Sequence, residues 1–261
     1  MKHVLLFVLC ILLIPFYGRA VATQDSLALV ALYNSTAGDN WTFKTNWLNT
    51  IGIPVSQWHG IKVVNNRVTE ITLFQNNLVG TIPPEIGDLT ELTSLKLSSN
   101  KLTTGIIPEM SKLKKLTLLQ MNSCQISNTI PSEIGYLTAL EELNLSSNNI
   151  SGEIPPEFGN LKKLKRLFLH SNRLTGSIPP SLGGLPILEQ LYLSNNYLSG
   201  SIPTALGLLS SLQLLILNNN NLSGTIPTSL GSLDKLTYLY LHYNKLSGAI
   251  PSQLGSLSSL Y

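Results

Sequence analysis

The chain has 261 residues, of which 17 are basic and 14 acidic, and only 12% of its residues are charged. This near balance offers no strongly basic face, so the composition excludes nucleic acid as a partner. Its two cysteines, Cys10 and Cys124, are too few for a disulfide framework once the first is removed with the leader described next. Stability must then come from packing of the core.

The segment 1–22 is predicted to be a secretory signal peptide. It begins with the basic residue Lys2, continues with an apolar run over 4–16 and ends in the small-x-small pattern AVA. The run is shorter than the ~20 residues of a spanning helix, which disfavours an uncleaved anchor. Cleavage removes Lys2 and Arg19, leaving 15 basic and 14 acidic groups. We expect a secreted, extracellular protein without a transmembrane segment in this chain, or one at the cell surface if a longer chain carries an anchor.

Residues 23–67 do not follow the repeat described below and are predicted to form an N-terminal cap. Asp25 or Ser26 is the expected N-cap of a short helix through SLALVALYN, which the turn-rich stretch NSTAGDN ends. Three bulky aromatic residues follow, and they would cover the apolar end of a stacked core. They are Trp41, Trp47 and Trp58. The alternative function for these tryptophans is a platform that binds sugar.

From residue 68 to 261 the chain repeats with a period of 24 residues. Each unit contains L-x-L-x-x-N, an alternation typical of a short strand with one buried face. The asparagine amide is predicted to bond backbone groups that no neighbouring strand reaches, which is a structural role. This asparagine ladder comprises Asn76, Asn100, Cys124, Asn148, Asn172, Asn196, Asn220 and Asn244. Cys124 replaces one asparagine and is expected to be a buried thiol.

After the asparagine each unit continues x-L-x-G-x-I-P. Proline lacks an N–H donor and glycine accepts a positive φ, so this segment is predicted to be an irregular turn opposite the strand. Asn128 replaces one of these glycines and is expected to adopt the same left-handed conformation. The unit at Thr103, Thr104 and Gly105 has one extra residue, which does not disturb the period.

These motifs resemble the plant-type leucine-rich repeat, L-x-x-L-x-L-x-x-N-x-L-x-G-x-I-P, and the match covers about eight units over 68–261. The resemblance implies a leucine-rich repeat solenoid of the α/β horseshoe class, mostly β. It further implies a parallel sheet on the concave face, an irregular or 3-10 convex side and an N-terminal helical cap. The stretches ALVALYNSTAGDNWTFKTNWL and QWHGIKVV resemble the cap of this family, although Val63 stands where plant caps carry a cysteine.

One half of the concave face is predicted to bind a ligand. Because side chains alternate along a strand, the residues between the leucines point out of the sheet. Those in the C-terminal half are largely aromatic or apolar, and exposed clusters of this kind usually mark binding sites. The predicted ligand-binding residues are Arg166, Phe168, His170, Tyr192, Leu214, Ile216, Tyr238, Tyr240 and His242. The alternative is that these side chains only stiffen the sheet.

The leading functional prediction is a non-catalytic extracellular recognition module for a protein, peptide or glycan. A second hypothesis is the ectodomain of a membrane receptor, a receptor-like kinase or receptor-like protein in signalling or defence. This receptor hypothesis rests on the apolar C-terminal end. Leu257 and Leu260 are expected to start a further strand, whose apolar edge would be covered by missing residues or by a partner. A minor alternative is ice binding by a flank row, Thr81, Thr129, Ser177, Ser201 and Thr225, which Glu153 and Ala249 interrupt.

No catalytic, metal or cofactor site is predicted. His170 and His242 lie three strands apart, or ~14 Å at ~4.8 Å per strand, and so cannot share a zinc ion. Five asparagines match the glycosylation pattern N-x-[ST]. They are Asn34, Asn40, Asn144, Asn149 and Asn221. A glycan on Asn144 would block the middle of the concave face.

Overall fold

A computed structural model describes residues 21–49 and 53–261, and the predicted signal peptide, except its last two residues, lies outside them. One long sheet runs through the repeats, with β1 and β2 antiparallel and every later pair parallel. Its strands are β1 (Ile61–Val64), β2 (Arg67–Thr72), β4 (Ser94–Lys96), β6 (Leu118–Gln120), β7 (Glu142–Asn144), β9 (Arg166–Phe168), β11 (Gln190–Tyr192), β13 (Leu214–Ile216) and β15 (Tyr238–Tyr240). The predicted leucine-rich repeat solenoid is confirmed.

The segment after each asparagine is more regular than expected. It forms short parallel strands in three small sheets, β3 with β5, β8 with β10, and β12, β14 and β16 together. Their bounds are β3 (Val79–Thr81), β5 (Lys101–Thr104), β8 (Ser151–Glu153), β10 (Arg173–Thr175), β12 (Ser199–Ser201), β14 (Asn221–Gly224) and β16 (Lys245–Leu246). The extra residue near Thr104 appears as a register shift between β3 and β5.

A 3-10 helix follows the proline of each unit on the convex side, as predicted. These helices span Pro84–Asp88, Pro108–Lys112, Ser132–Tyr136, Pro156–Asn160, Pro180–Gly184, Thr204–Leu208, Thr228–Ser232 and Ser252–Ser256. No ninth repeat strand forms after the last of them within the described residues, although Tyr261 N donates to Thr237 O at 3.0 Å. The expected further strand at Leu257 and Leu260 is therefore reduced to this first hydrogen bond.

The core is a stack of apolar rows inside the coils. Leu95, Leu119 and Leu143 are aligned on neighbouring strands and fully buried. Fully burying one such side chain stabilises the fold by about 1.5 to 3 kcal/mol, so the stack is the main source of stability. Over the described residues the core is a continuous stack, because each coil packs chiefly on the coils before and after it.

The asparagine side chains join neighbouring coils. Nδ2 of Asn148 donates to Met121 O of the preceding coil at 2.9 Å and to Leu145 O of its own coil at 3.0 Å. Its Oδ1 accepts hydrogen bonds from Cys124 N at 3.1 Å and Ile126 N at 3.2 Å. Bonds to the preceding coil and to its own coil recur at Asn100, Asn172, Asn196, Asn220 and Asn244.

The helix α1 (Thr23–Ser35) begins before the position expected from the sequence. Its N-cap is Ala22, so the assignment of Asp25 or Ser26 as the cap is wrong. The carboxylate of Asp25 is fully buried and accepts hydrogen bonds from Arg67 Nη2 at 3.0 Å and from Val68 N at 2.7 Å. Asp25 therefore ties α1 to the first strands of the sheet.

The tryptophans of the predicted cap are packed against one another. Trp47 lies 4.7 Å from Trp41 and 5.0 Å from Trp58 between ring centroids, and all three side chains are buried. The alternative of an exposed tryptophan platform for sugar is therefore wrong. Among the described residues, no helix is long and apolar enough to cross a membrane.

The residues predicted to have a positive φ include both correct and incorrect assignments. Gly152 has a φ of 80°, and several glycines at the same position are similar. The prediction for Asn128 is wrong, because its φ is not positive. Its amide instead accepts a hydrogen bond from Gly105 N at 3.2 Å and donates one to Ile106 O at 2.8 Å, so it replaces the glycine by bridging to the preceding coil.

Candidate functional site

The concave face is the outward face of the long sheet, and its rows of side chains are in register. The parallel pairing aligns Tyr192 of β11 with Ile216 of β13 and Tyr240 of β15. On the other side, Tyr192 is aligned with Phe168 of β9. Neighbouring strands are ~4.8 Å apart, which brings successive side chains of a row into contact.

The middle of this face is polar and already internally paired. Glu142 is buried, and its carboxylate accepts from Arg166 Nε at 2.6 Å and from Gln120 Nε2 at 2.6 Å. Oδ1 of Asn144 accepts from the Ser146 hydroxyl at 2.7 Å. The Arg166 side chain is 39% exposed, so its remaining N–H groups can still meet a ligand acceptor.

The first aromatic cluster consists of Phe168, His170 and Tyr192. The Tyr192 ring lies 5.1 Å from Phe168 and 5.7 Å from His170 between centroids, and all three side chains are half-buried. Burial lowers the pKa of His170, and its buried Nδ1 has no hydrogen-bond partner among the described residues. Burial, followed by the nearby Tyr240, raises the pKa of Tyr192. Both rings are therefore neutral at pH 7, and this part of the face is largely apolar.

Ile216 does not offer the exposed surface that the sequence predicts. Its side chain is only 7% exposed because it lies between the larger rings of Tyr192 and Tyr240 in the same row. Leu214 is half-buried. The two residues form an apolar floor between aromatic walls, so a ligand would meet the tyrosines first.

The second aromatic cluster is more exposed and larger than the sequence indicates. Tyr238 and Tyr240 are 41% and 43% exposed, and their ring centroids are 6.1 Å apart. His242 lies 5.8 Å from Tyr240 and 5.1 Å from Tyr243. Tyr261 stacks on Tyr238 at 6.0 Å.

Tyr243 and Tyr261 were missed in the sequence analysis. Tyr243 occupies the position before the ladder asparagine, where most units have serine or asparagine, and this break in the pattern could have revealed it. Tyr261 has no such signal, because its contact with Tyr238 depends on the last coil turning back toward the sheet.

The face has no arrangement suited to metal chemistry in the part of the chain that the structure describes, where no three His, Cys, Asp or Glu side chains come close enough to hold an ion. The face offers aromatic contact area beside the partly exposed ion pair of Arg166 and Glu142. Of the glycosylation candidates, Asn34, Asn40 and Asn149 are exposed, whereas Asn144 and Asn221 are half-buried.

The flank row considered for ice binding is not a uniform array. The short strands align Ser151 with Thr129 and with Arg173, and they align Glu153 with Thr175. Exposed charged side chains therefore stand among the hydroxyls.

Family models described as leucine rich repeat match residues 138–198 and 188–246, and a second such model matches 91–113 and 115–137. The chain is 33% identical over 92 residues to the receptor-like kinase TMK4 of Arabidopsis thaliana, a match that covers 34% of this chain and 9% of that protein. The chain thus spans about a tenth of the length of this curated relative.

Three solved structures are similar over most of the chain. The ectodomain of the Arabidopsis thaliana receptor kinase GASSHO1/SCHENGEN3, in complex with CASPARIAN STRIP INTEGRITY FACTOR 2, is 38% identical with a TM-score of 0.86, covering 90% of this chain and 29% of that one. The Arabidopsis HAESA ectodomain, in complex with an IDA peptide hormone ligand, is 32% identical with a TM-score of 0.77, covering 92% and 40%. A plant ice-binding protein is 28% identical with a TM-score of 0.68, covering 90% of both chains.

Proposed function

The chain folds as a leucine-rich repeat solenoid, and from this premise we propose that it is a non-catalytic recognition module that binds an extracellular protein or peptide on the concave face. The observation that carries the proposal is the exposed aromatic cluster around Tyr238 and Tyr240. Tyrosine offers a large contact area and loses little rotamer entropy, and it is enriched at binding hot spots.

The order of side chains along the face indicates what the ligand must contain. Arg166, partly exposed beside Glu142, can donate hydrogen bonds to one acidic or carbonyl group, and the rings from Phe168 to Tyr240 can contact apolar side chains. From β9 to β15 there are three strand spacings, or ~14 Å, which about four residues of an extended peptide can span. Support comes also from the two receptor ectodomains solved with their ligands, one of which is a peptide hormone.

The test is selection of a displayed peptide library on the purified chain, followed by affinity measurement with the best peptide. A hot-spot residue contributes at least about 2 kcal/mol, which is a factor of about 30 in Kd. We expect Tyr238→Ser with Tyr240→Ser to weaken binding by at least that factor. Tyr136→Ser is the matched control, because Tyr136 is 59% exposed on the convex side. Equal affinity of the double variant and the wild type would refute the assignment.

The cellular setting is a finer part of the same proposal. Secretion, with removal of 1–22, would place the concave face outside the cell, and receptor-like signalling would follow if a longer chain adds an anchor. Mass spectrometry of the protein from its native source gives the mature N-terminus and the occupancy of sequons such as Asn144. A mature N-terminus that retains 1–22 contradicts secretion by this route.

Ice binding is a second candidate, favoured by the similarity to the plant ice-binding protein over 90% of both chains. The exposed flank residues would contact the ice, namely Thr81, Thr129, Ser177, Ser201 and Thr225. Glu153 and Ala249 interrupt this row, and the exposed Arg173 lies beside it. Thermal hysteresis of the purified chain decides the matter. Its absence at high protein concentration eliminates this candidate and leaves the concave-face proposal unaffected.

A further inference from the structure

A separate open groove lies at the N-terminal end of the solenoid, beside the ends of the first strands. It encloses about 860 Å³ and is lined mainly by polar side chains, with Phe43 and Phe74 as its aromatic members. Phe74 and His170 occupy equivalent positions four strands apart, which is ~19 Å at ~4.8 Å per strand. The groove is therefore distinct from the aromatic clusters of the concave face.

The two phenylalanines are exposed but well positioned. Each is 53% exposed, and both line the same groove, so their rings are accessible to a ligand there. The backbone of Phe43 is held by Asn76, whose Oδ1 accepts from Phe43 N at 2.5 Å and whose Nδ2 donates to Phe43 O at 2.9 Å. His59 lies 5.4 Å from the Phe43 ring. The backbone of Phe43 is therefore held in place before any ligand arrives.

The polar lining carries a single charge, and some of its hydrogen-bonding groups have no partner among the described residues. The side-chain amides of Gln75 and Gln125 make no hydrogen bond to any described residue, so both keep a donor and an acceptor available. Lys101 is the single charged residue of the lining, and its Nζ donates to Asn77 Oδ1 at 3.4 Å. Gln75, Ser99 and Ser123 follow one another at 24-residue intervals, which makes a row of polar groups across successive coils.

We infer that this groove binds a neutral oligosaccharide. A pyranose ring has an apolar C–H face, which suits Phe43 and Phe74, and a rim of hydroxyls that both donate and accept, as the amides of Gln75 and Gln125 do. An anionic ligand would find one lysine and no arginine. A largely apolar ligand requires a more enclosed and apolar site. A strand-adding peptide would pair with β1, the edge strand of the long sheet, and no residue of β1 lines the groove.

The experiment is calorimetric titration of the full chain, produced in bacteria so that Asn40 carries no glycan, with cellohexaose, xylohexaose, mannohexaose and the anionic hexamer of galacturonic acid. At least one neutral hexamer should bind. Phe43→Ala and Phe74→Ala should each weaken it by at least about fivefold, since loss of a stacked ring is worth about 1 kcal/mol or more. Gln125→Ala should weaken it by about two- to tenfold.

The matched control is Tyr197→Ala, which removes an exposed ring of similar accessibility, 57%, outside the groove. Unchanged thermal unfolding of Phe43→Ala shows that its effect is local. The inference is overturned if no neutral hexamer binds, if binding is indifferent to both phenylalanines, or if only the galacturonate hexamer binds. Sugar binding that survives Tyr238→Ser with Tyr240→Ser separates this site from the aromatic clusters of the concave face, so either proposal can fail alone.

Discussion

Replacing Cys124 by asparagine should stabilise the protein. The Cys124 thiol donates to Leu97 O at 3.4 Å, and its sulfur, a weak acceptor, faces the N–H groups of Asn100 and Leu102. In the next coil Asn148 makes the corresponding bonds with an amide, at 2.9 to 3.2 Å. The backbone groups around position 124 are therefore already placed to bond an asparagine side chain.

The expected gain follows from the two N–H groups that would acquire an amide oxygen. At a net 0.5 to 1.5 kcal/mol per hydrogen bond, Cys124→Asn should stabilise the fold by about 1 to 3 kcal/mol. For a domain of this size each kcal/mol raises Tm by roughly 2 to 4 °C. Differential scanning calorimetry measures the change.

Hydrogen exchange provides a local measurement of the same effect, because protection of the Asn100 and Leu102 amides should increase in Cys124→Asn. Cys124→Ala is the control, since it removes the thiol and adds no amide, so its Tm should not rise. A Tm of Cys124→Asn at or below that of the wild type, with unchanged protection of the two amides, would refute the reasoning about the ladder.

Three further outcomes are expected. Asp25→Ala should cost about 3 to 5 kcal/mol of unfolding free energy, because it leaves Arg67 without its buried partner; a loss below 1 kcal/mol in chemical denaturation would contradict this. Gly183→Ala places a Cβ 2.2 Å from a carbonyl oxygen of the next coil and should lower the free energy of unfolding by about 1 to 3 kcal/mol. Gly255→Ala, which has open space at the equivalent position, should leave the thermal melt nearly unchanged. Because burial lowers the pKa of His170, only the unfolded chain is protonated just below pH ~6.5, so stability should fall with falling pH there, and His170→Phe should remove this part of the dependence of Tm on pH.

The repeated part of the fold is predictable because each unit carries its own signal. The alternation around Leu143 and the asparagine at 148 identify a strand and a bend from a few residues, and every other unit repeats the information. The cap is less predictable. Asp25 looked like a helix N-cap because its true partner, Arg67, lies 42 residues away in the sequence.

The sites depend on contacts between units, which explains why they were predicted only in part. Ile216 is buried by the bulk of Tyr192 and Tyr240, each 24 residues away, so its exposure cannot be read from its own unit. Phe43 lies in the irregular segment, and it lines the same groove as Phe74 only once the cap has folded against the first coil. The repeat pattern does not predict this arrangement.

The ladder also makes the length of the binding surface adjustable in fixed steps. Because the bonds of Asn148 reach back 22, 24 and 27 residues, duplicating or deleting a complete 24-residue unit regenerates every one of them. Such an event would move the Tyr238 cluster by one strand spacing relative to Arg166 and leave the chemistry of each intact. The length of the concave face can therefore change in steps of ~4.8 Å, and evolution or design can match it to ligands of different lengths.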